Sequence, residues 1–311
     1  MGDPTGSRSG KAGIDLPVHL ALLAVQMSFG GFHVVAKTIL TDLPPLALAG
    51  LRVAVATPIL LLLAWRKDRC LPRRRDLPVL MLLGALGVFF NQILFILGLQ
   101  YTSATNAAIL MPSIPVFAVA VAALLGIERI GWRRVLGIAL ALLGALVLLG
   151  PSELSLASGN RFGNLLILLN CLSFATFLVL TRPVLKRLPW RTTIAWAFLF
   201  GSAPILAFAA GDLAQLDFAA VSSASWLGLA YIVALPTIFS YSVNTWAVKR
   251  SSPMLAATYT TAQPLFAALL AAWFLGERFG WGEAAGLLLI AAGLLRVSWR
   301  RLGPAVIPDH E

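Results

Sequence analysis

The chain of 311 residues predicts an all-α, polytopic membrane protein with ten transmembrane helices arranged as two inverted five-helix repeats. Three observations carry that prediction. The composition is 59% apolar and only 12% charged, against roughly a quarter charged in an ordinary soluble domain. Apolar stretches long enough to cross a hydrocarbon layer of about 30 Å recur along the chain, and the two halves of the chain resemble each other. The same figures exclude a disordered chain, which needs low hydrophobicity, and two cysteines exclude a disulfide-stapled scaffold.

Between breaks of charge, Pro or Gly, the apolar stretches run over 17–40, 44–65, 77–99, 103–125, 132–150, 162–181, 191–210, 225–247, 252–275 and 281–299. The first is too long for a signal-peptide core and no small-residue cleavage site comes after it, so it reads as an uncleaved span. Residues 1–15 form a polar, disordered tail on the cytoplasmic side, 16–151 the first repeat, 161–299 the second, and 300–311 a cytoplasmic tail.

Charge gives the orientation. With the N-terminus inside, the inner segments hold Arg8, Lys11, Arg66, Lys67, Arg69, Arg73, Arg74, Arg75, Arg129, Arg133, Arg134, Arg182, Lys186, Arg187, Arg191, Lys249, Arg250, Arg296, Arg300 and Arg301, which is 20 of the 24 Lys and Arg residues. The outer loops hold only Arg161 and Arg278, and Lys37 and Arg52 lie within spans. Both termini are therefore expected in the cytoplasm. Trp65, Trp132, Trp226, Trp246, Trp281 and Trp299 fall near span ends, where amphipathic rings prefer to sit. A net charge of +11 thus reports topology and not a nucleic-acid surface.

A shift of 149 residues superposes Ser103, Ala107, Ala108, Pro115, Phe117, Ala118, Glu128, Arg129, Gly131, Trp132, Gly137 and Gly144 on identical residues of the second half. A shift of 145 matches Ser28-Phe29, Phe32 and Leu43-Pro44 with Ser173-Phe174, Phe177 and Leu188-Pro189. A repeat of five spans forces the second copy to enter the membrane from the other side. Homologous loops obey this: ERIGWRR carries Arg133 and Arg134 where its copy ERFGWGE has Gly282 and Glu283. Inverted repeats of this kind belong to secondary transporters, with the substrate site near the midplane at the repeat interface.

The segments YTSATNAAILMPSIPVFAVAVAALLGIERIGWRRVLGIALALLGALVLLG and SSPMLAATYTTAQPLFAALLAAWFLGERFGWGEAAGLLLIAAGLL resemble the end of the EamA domain of the drug/metabolite transporter superfamily, and the resemblance extends over nearly all of 17–299 as two tandem domains. It implies a carrier for amino acids or related metabolites, more often exporting than importing, in the plasma membrane, which in a bacterium is the inner membrane. The first span departs from the family pattern: Phe32 and His33 stand in FGGFHVVAK where smaller residues are common.

Polar groups inside hydrocarbon are costly and mark candidate function. Gln26, Gly30, His33 and Lys37 share one face of span 1. Lys37 lies only ~6 Å from the outer end at 1.5 Å per residue, a depth from which a lysine snorkels, whereas Arg52 and His33 lie about 12 Å deep. Arg52 has two readings, a structural anchor or a contact for an anionic substrate group. Thr237, Ser240 and Asn244 share a face of span 8 beside Tyr241, and the repeat maps Ser240 and Tyr241 onto Asn91 and Gln92 of span 3. Tyr259 and Gln263 lie one turn apart in span 9. The expected substrate-binding set is therefore Gln26, His33, Arg52, Asn91, Gln92, Ser240, Tyr241, Asn244, Tyr259 and Gln263. The alternative for the span 3 and span 8 groups is interhelical hydrogen bonding.

Pro115 and Pro264 occupy equivalent places and free the carbonyls of Met111 and Thr260, which makes them candidate hinges or static kinks. Glu128-Arg129, Glu277-Arg278 and the glycine pairs Gly137/Gly144 and Gly286/Gly293 read as structural. Scattered histidines and cysteines predict no metal site, no disulfide and no cofactor. The expected function is alternating-access transport of a small polar or amphipathic metabolite, a carboxylate or zwitterion. The expected partners are that substrate, the lipid bilayer and protons coupled through His33, the one deep group that titrates near neutrality without a shift. A passive channel is the alternative. An enzyme is disfavoured because no HExxH, GxSxG or mid-span Asp pair is present.

Overall fold

The computed structural model describes residues 16–102, 107, 110–127, 131–149, 161–266 and 281–298, and the secondary structure there is entirely helical. In chain order the helices are α1 Leu16–Ile39, α2 Pro45–Asp68, α3 Arg74–Tyr101, α4 Ser113–Leu124, α5 Trp132–Leu149, α6 Arg161–Leu185, α7 Trp190–Gln215, α8 Ser223–Arg250, α9 Pro253–Tyr259 and α10 Trp281–Ser298. Among the described residues, α1, α2, α3, α6, α7 and α8 are long and apolar enough to cross a membrane. Both tails and the Glu128-Arg129 and Glu277-Arg278 blocks lie outside the described residues.

Helix starts obey local chemistry. Pro45 opens α2, where a missing N–H costs nothing because the first turn has no acceptor for it. Ser222 and Ser252 cap α8 and α9, accepting from the backbone N–H groups of Ser225 and Leu255 at 3.2 and 3.1 Å. At the other end of α2, Arg69 takes the left-handed conformation (φ 46°) and returns its N–H to the Trp65 carbonyl, closing the helix. Outward faces carry exposed Leu20, Met27, Leu62, Leu63, Phe208 and Leu227, the inverse of an aqueous surface and the expected coat in lipid.

Helices pair across the repeat. α2 packs along its counterpart α7 and α5 along α10, while α3 packs on α6 as α8 packs on α1. The glycine faces expected in spans 5 and 10 meet each other: a Cβ on Gly144 would stand 2.6 Å from the Ile290 nitrogen and 2.7 Å from the Gly286 carbonyl. Gly84 of α3 and Gly201 of α7 make a similar backbone approach, and a Cβ on Gly84 would stand 2.8 Å from the Gly201 nitrogen. Such contacts replace the hydrophobic driving force that lipid does not supply.

The helix ends are tied by polar contacts. Asp68 at the end of α2 pairs with Arg191 at 3.2 Å and accepts from the Thr192 N–H and hydroxyl at 3.1 and 3.0 Å at the start of α7. Asp42, between α1 and α2, accepts from the hydroxyls of Ser222 and Ser225. The bond from Ser222, then that from Ser225, holds the Asp42 carboxyl below its ordinary value of 3.8.

Both kinds of contact are open to measurement. Gly201→Ala should lower the melting temperature, with an overpacking cost of about 1–3 kcal/mol, whereas Gly211→Ala, which meets nothing within 4 Å, should melt at or above the wild-type temperature. Thermal unfolding in detergent compares them. Because the folded Asp42 has the lower pKa, its stabilisation is fully present above the unfolded value and disappears as pH falls through the folded one. The melting difference between wild type and Asp42→Asn should therefore hold steady at neutral pH and shrink as pH falls through the ordinary value of 3.8 and below it; a difference that fades nearer pH 6 would assign the effect to another group.

Candidate functional site

Two spans lose α-helical regularity at equivalent places. Ala85–Phe90 of α3 and Val233–Phe239 of α8 are wound as π-turns with five-residue hydrogen-bond spacing, and the 149-residue shift carries the first onto 234–239. A π-turn inserts one extra residue and rotates the next stretch of helix by roughly 100°. The residues delivered by that rotation are Asn91-Gln92 in α3 and Ser240-Tyr241 in α8. Within the second turn the Thr237 hydroxyl donates to the Ile232 carbonyl at 2.7 Å.

The other irregularity lies in spans 4 and 9. Pro115 cannot bond the Met111 carbonyl, and the N–H of Ile114 takes it at 3.0 Å in a tightened turn. In the second half Gln263, before Pro264, donates its N–H to the Thr260 carbonyl in the same way. Both breaks sit three to four residues before their prolines, at symmetric positions. Irregular backbone at membrane depth is tolerated where it is buried in protein or lines a cavity. Met111, Ile114 and Gln263 do line one.

That cavity is enclosed by Phe29 and Phe32 of α1, Arg52 of α2, Asn91, Gln92 and Phe95 of α3, Asn170 and Phe174 of α6, Tyr241 of α8 and the two broken spans, and it holds about 470 Å³ of empty space, counting its mouth. Arg52 is 2% exposed. Its Nε donates to the Thr237 hydroxyl, and its guanidinium lies 4.8 Å from the centroid of the Phe32 ring. No carboxylate pairs with it among the described residues. A hydrogen bond and an aromatic face offset part of the desolvation of a buried cation, but neither neutralises its charge.

Around the cation the polar groups divide into tied and untied. The Tyr241 hydroxyl donates to Asn91 Oδ1 at 2.6 Å, and the Asn170 amide donates to the Asn91 carbonyl. Tyr241 also packs edge-on to Phe198 and Phe174, with ring centroids 5.1 and 6.1 Å away. Gln92 is different. Both ends of its amide, and Oε1 of Gln263, are buried without a hydrogen bond from the described residues, a condition that costs about 1–3 kcal/mol per group in a protein interior.

Arg52, Asn91, Gln92, Tyr241 and Gln263, read from the sequence as lining residues, therefore come together on one cavity. Four others do not line it. Ser240 bonds Ser28 Oγ at 3.2 Å, Tyr259 bonds His19 Nδ1, and Gln26 and Asn244 are buried at 1% and 3% exposure. His33 lies on α1, with its side chain outside the described residues. Lys37 does not simply snorkel, since its ammonium donates to the Leu99 and Thr102 carbonyls at 2.7 and 3.4 Å. Sequence reasoning missed Phe29, Phe95, Phe174 and Asn170. Only Asn170 carried a signal, as an amide in the middle of an apolar span.

A multi-pass helical bundle of two repeated halves around a central polar cavity is the class these features define. The chain belongs to the EamA-like transporter family, whose model matches residues 16–150 and 161–299. It is 30% identical over 336 aligned residues to Protein WALLS ARE THIN 1 of Arabidopsis thaliana, covering 94% of this chain and 86% of that protein. It is 28% identical to an uncharacterized transporter of Archaeoglobus fulgidus, covering 89% and 95%, and 24% identical to the uncharacterized transporter YetK of Bacillus subtilis, covering 94% and 90%. A solved crystal structure shares the fold at a TM-score of 0.74 and 19% identity, over 92% of this chain and 99% of that one. The chain is accordingly a transporter-family membrane protein with a small-molecule substrate.

Thr237 should matter to Arg52 more than any other hydroxyl. Thr237→Val, which removes the acceptor of a charged donor, is expected to cost about 1.5–3 kcal/mol of stability, while Thr237→Ser keeps the acceptor and should cost less than half of that. Parallel denaturation curves in detergent check the pair.

Proposed function

We propose that the protein is a secondary carrier with ten membrane crossings, both termini in the cytoplasm, that exports a small amphipathic carboxylate or zwitterion across the plasma membrane by alternating access. The observation that carries this reading is Arg52: a buried guanidinium on the wall of a cavity that both repeats build, bonded through Nε and lacking a carboxylate partner among the described residues. The anchor and the substrate contact are then the same side chain. Thr237 fixes Nε, and the two terminal nitrogens, which carry no hydrogen bond among the described residues, present the parallel donors that suit a carboxylate. A substrate anion would supply the missing countercharge in a setting of low dielectric.

Charge arithmetic supports a single anionic group. Lys37 is engaged by carbonyls at the end of α3, and a phosphate ester would call for a second deep cation. Phe29, Phe32, Phe95 and Phe174 offer an apolar body a surface, and the unbonded amide of Gln92 with Oε1 of Gln263 offers it a polar neighbour. A site with a few convergent polar groups on an apolar wall is the common form of a small-molecule pocket.

The test is a thermal-shift screen of purified protein against carboxylates, amino acids, amines and sugar phosphates. A ligand at 100 times its dissociation constant adds about 2.7 kcal/mol of stability. The stabilising class should be carboxylates, with the shift lost in Arg52→Gln; equal stabilisation of both proteins removes Arg52 from the site. Proteoliposome counterflow with the same ligand separates a carrier from a channel, since trans-stimulation is expected of the first alone.

A further inference from the structure

Four polar contacts at the ends of the helices are related by the internal repeat. Lys37 near the end of α1 donates to the Thr102 carbonyl just past α3. The 145-residue shift carries Lys37 onto Arg182 of α6, and the 149-residue shift carries Thr102 onto Ser251, just past α8. Arg182 Nη1 does donate to the Ser251 carbonyl. The second relation joins a connection to a helix start. Asp42, in the α1–α2 connection, accepts from Ser225 Oγ in the first turn of α8 at 2.7 Å. Its repeat image is Arg187, in the α6–α7 connection, and the image of Ser225 is Asp76 at the start of α3. Arg187 Nη1 and Asp76 Oδ1 stand 3.3 Å apart.

Side chains have changed between copies, from lysine to arginine and from a carboxylate–hydroxyl contact to an ion pair, but the positions joined are the same. Each set links the first helix of one repeat to the far end of that repeat's own third span and, through the connection that follows it, to the start of the other repeat's third span. One set lies at the end of the bundle that the cation distribution assigns to the outside, the other at the cytoplasmic end. The central cavity lies between them. Chance contacts at helix ends have no reason to recur at repeat-related positions on opposite faces.

We infer that these are two latches, Lys37–Thr102 with Asp42–Ser225 on the outer side and Arg182–Ser251 with Arg187–Asp76 on the inner side, whose alternate release decides which face of the membrane the cavity opens to. The inference rests on the alternating-access reading and adds the residues that hold each gate. In the inner latch Asp76 is almost fully buried and meets Arg187 by charge alone, its Oδ1 taking no hydrogen bond from the described residues, while Asp68 with Arg191 and Thr192 ties the same end. The outer latch sets the Lys37 ammonium on the Thr102 carbonyl and an exposed carboxylate on two serine hydroxyls, and water competes for the exposed contact.

The test places one reporter cysteine in the cavity wall, Ile114→Cys, in a Cys70→Ser, Cys171→Ala chain, and measures labelling by a membrane-impermeant maleimide in right-side-out and inside-out vesicles. Arg187→Gln should raise cytoplasmic-side labelling, and Asp42→Asn outer-side labelling, each roughly threefold or more, the population change that loss of a partly exposed contact supports. Each should lower labelling from the opposite face. Exchanging the inner pair, Asp76→Arg with Arg187→Asp, should return labelling toward the parent rate. Should Arg187→Gln fail to fold, Arg182→Gln and Lys37→Gln test the same two latches from their other members. Unchanged rates, changes toward the same face in both variants, or no rescue by the exchange would overturn the latch assignment. A parent reporter labelled from both faces at rates that neither latch variants nor bound carboxylate alter would instead mark a pore and overturn the carrier reading.

Discussion

A guanidinium inside a hydrocarbon layer has to be solvated by the protein, and the bundle is organised around doing so for Arg52. Its hydrogen-bond acceptor, Thr237, comes from the opposite repeat, and the acceptor is available because a π-turn directs the threonine hydroxyl to both the Ile232 carbonyl and the arginine. Phe32, on a third helix, covers the guanidinium face. Three helices from two repeats therefore meet at one charge, and the cavity forms where their packing is interrupted.

The repeats contribute equivalent backbone and unequal side chains. Both halves wind a π-turn before the polar pair of their third span, and both tighten the helix before the proline of their fourth. At matched positions, however, Asn91 corresponds to Ser240, Gln92 to Tyr241 and Ile114 to Gln263. A symmetric backbone gives both halves the same breaks, whereas an asymmetric lining is what lets a cavity hold one end of a bound molecule differently from the other. Packing and cavity chemistry thereby fall in different places: glycine contacts between α5 and α10 and between α3 and α7 hold the halves together, and the unbonded amide of Gln92 and Oε1 of Gln263 sit at the centre.

Much of this was legible in the chain. Apolar spacing marked the helices, and the duplication emerged from residues kept in register. Arg52, Asn91, Gln92, Tyr241 and Gln263 stood out because a polar residue deep in an apolar span is expensive and needs a reason. Gln26, Ser240, Asn244 and Tyr259 stood out by the same rule, yet they lie off the cavity wall, since depth says nothing about which neighbour a face meets. Lys37 shows the complementary gap. Its shallow position reads as snorkelling, and its carbonyl partners 62 and 65 residues away have no trace in local sequence.

Helical period, hydrophobicity and charge are properties of consecutive residues, and from them the class of protein, its repeat and its list of costly polar groups can be read directly. Which of those groups converge depends on helix rotation and on partners more than a hundred residues distant. A π-turn shifts the phase of everything after it by one residue, and no periodicity in α3 or α8 announces that shift. The phenylalanine wall is the extreme case: in a chain that is 59% apolar, one phenylalanine looks like another until packing turns some toward lipid and a few toward Arg52.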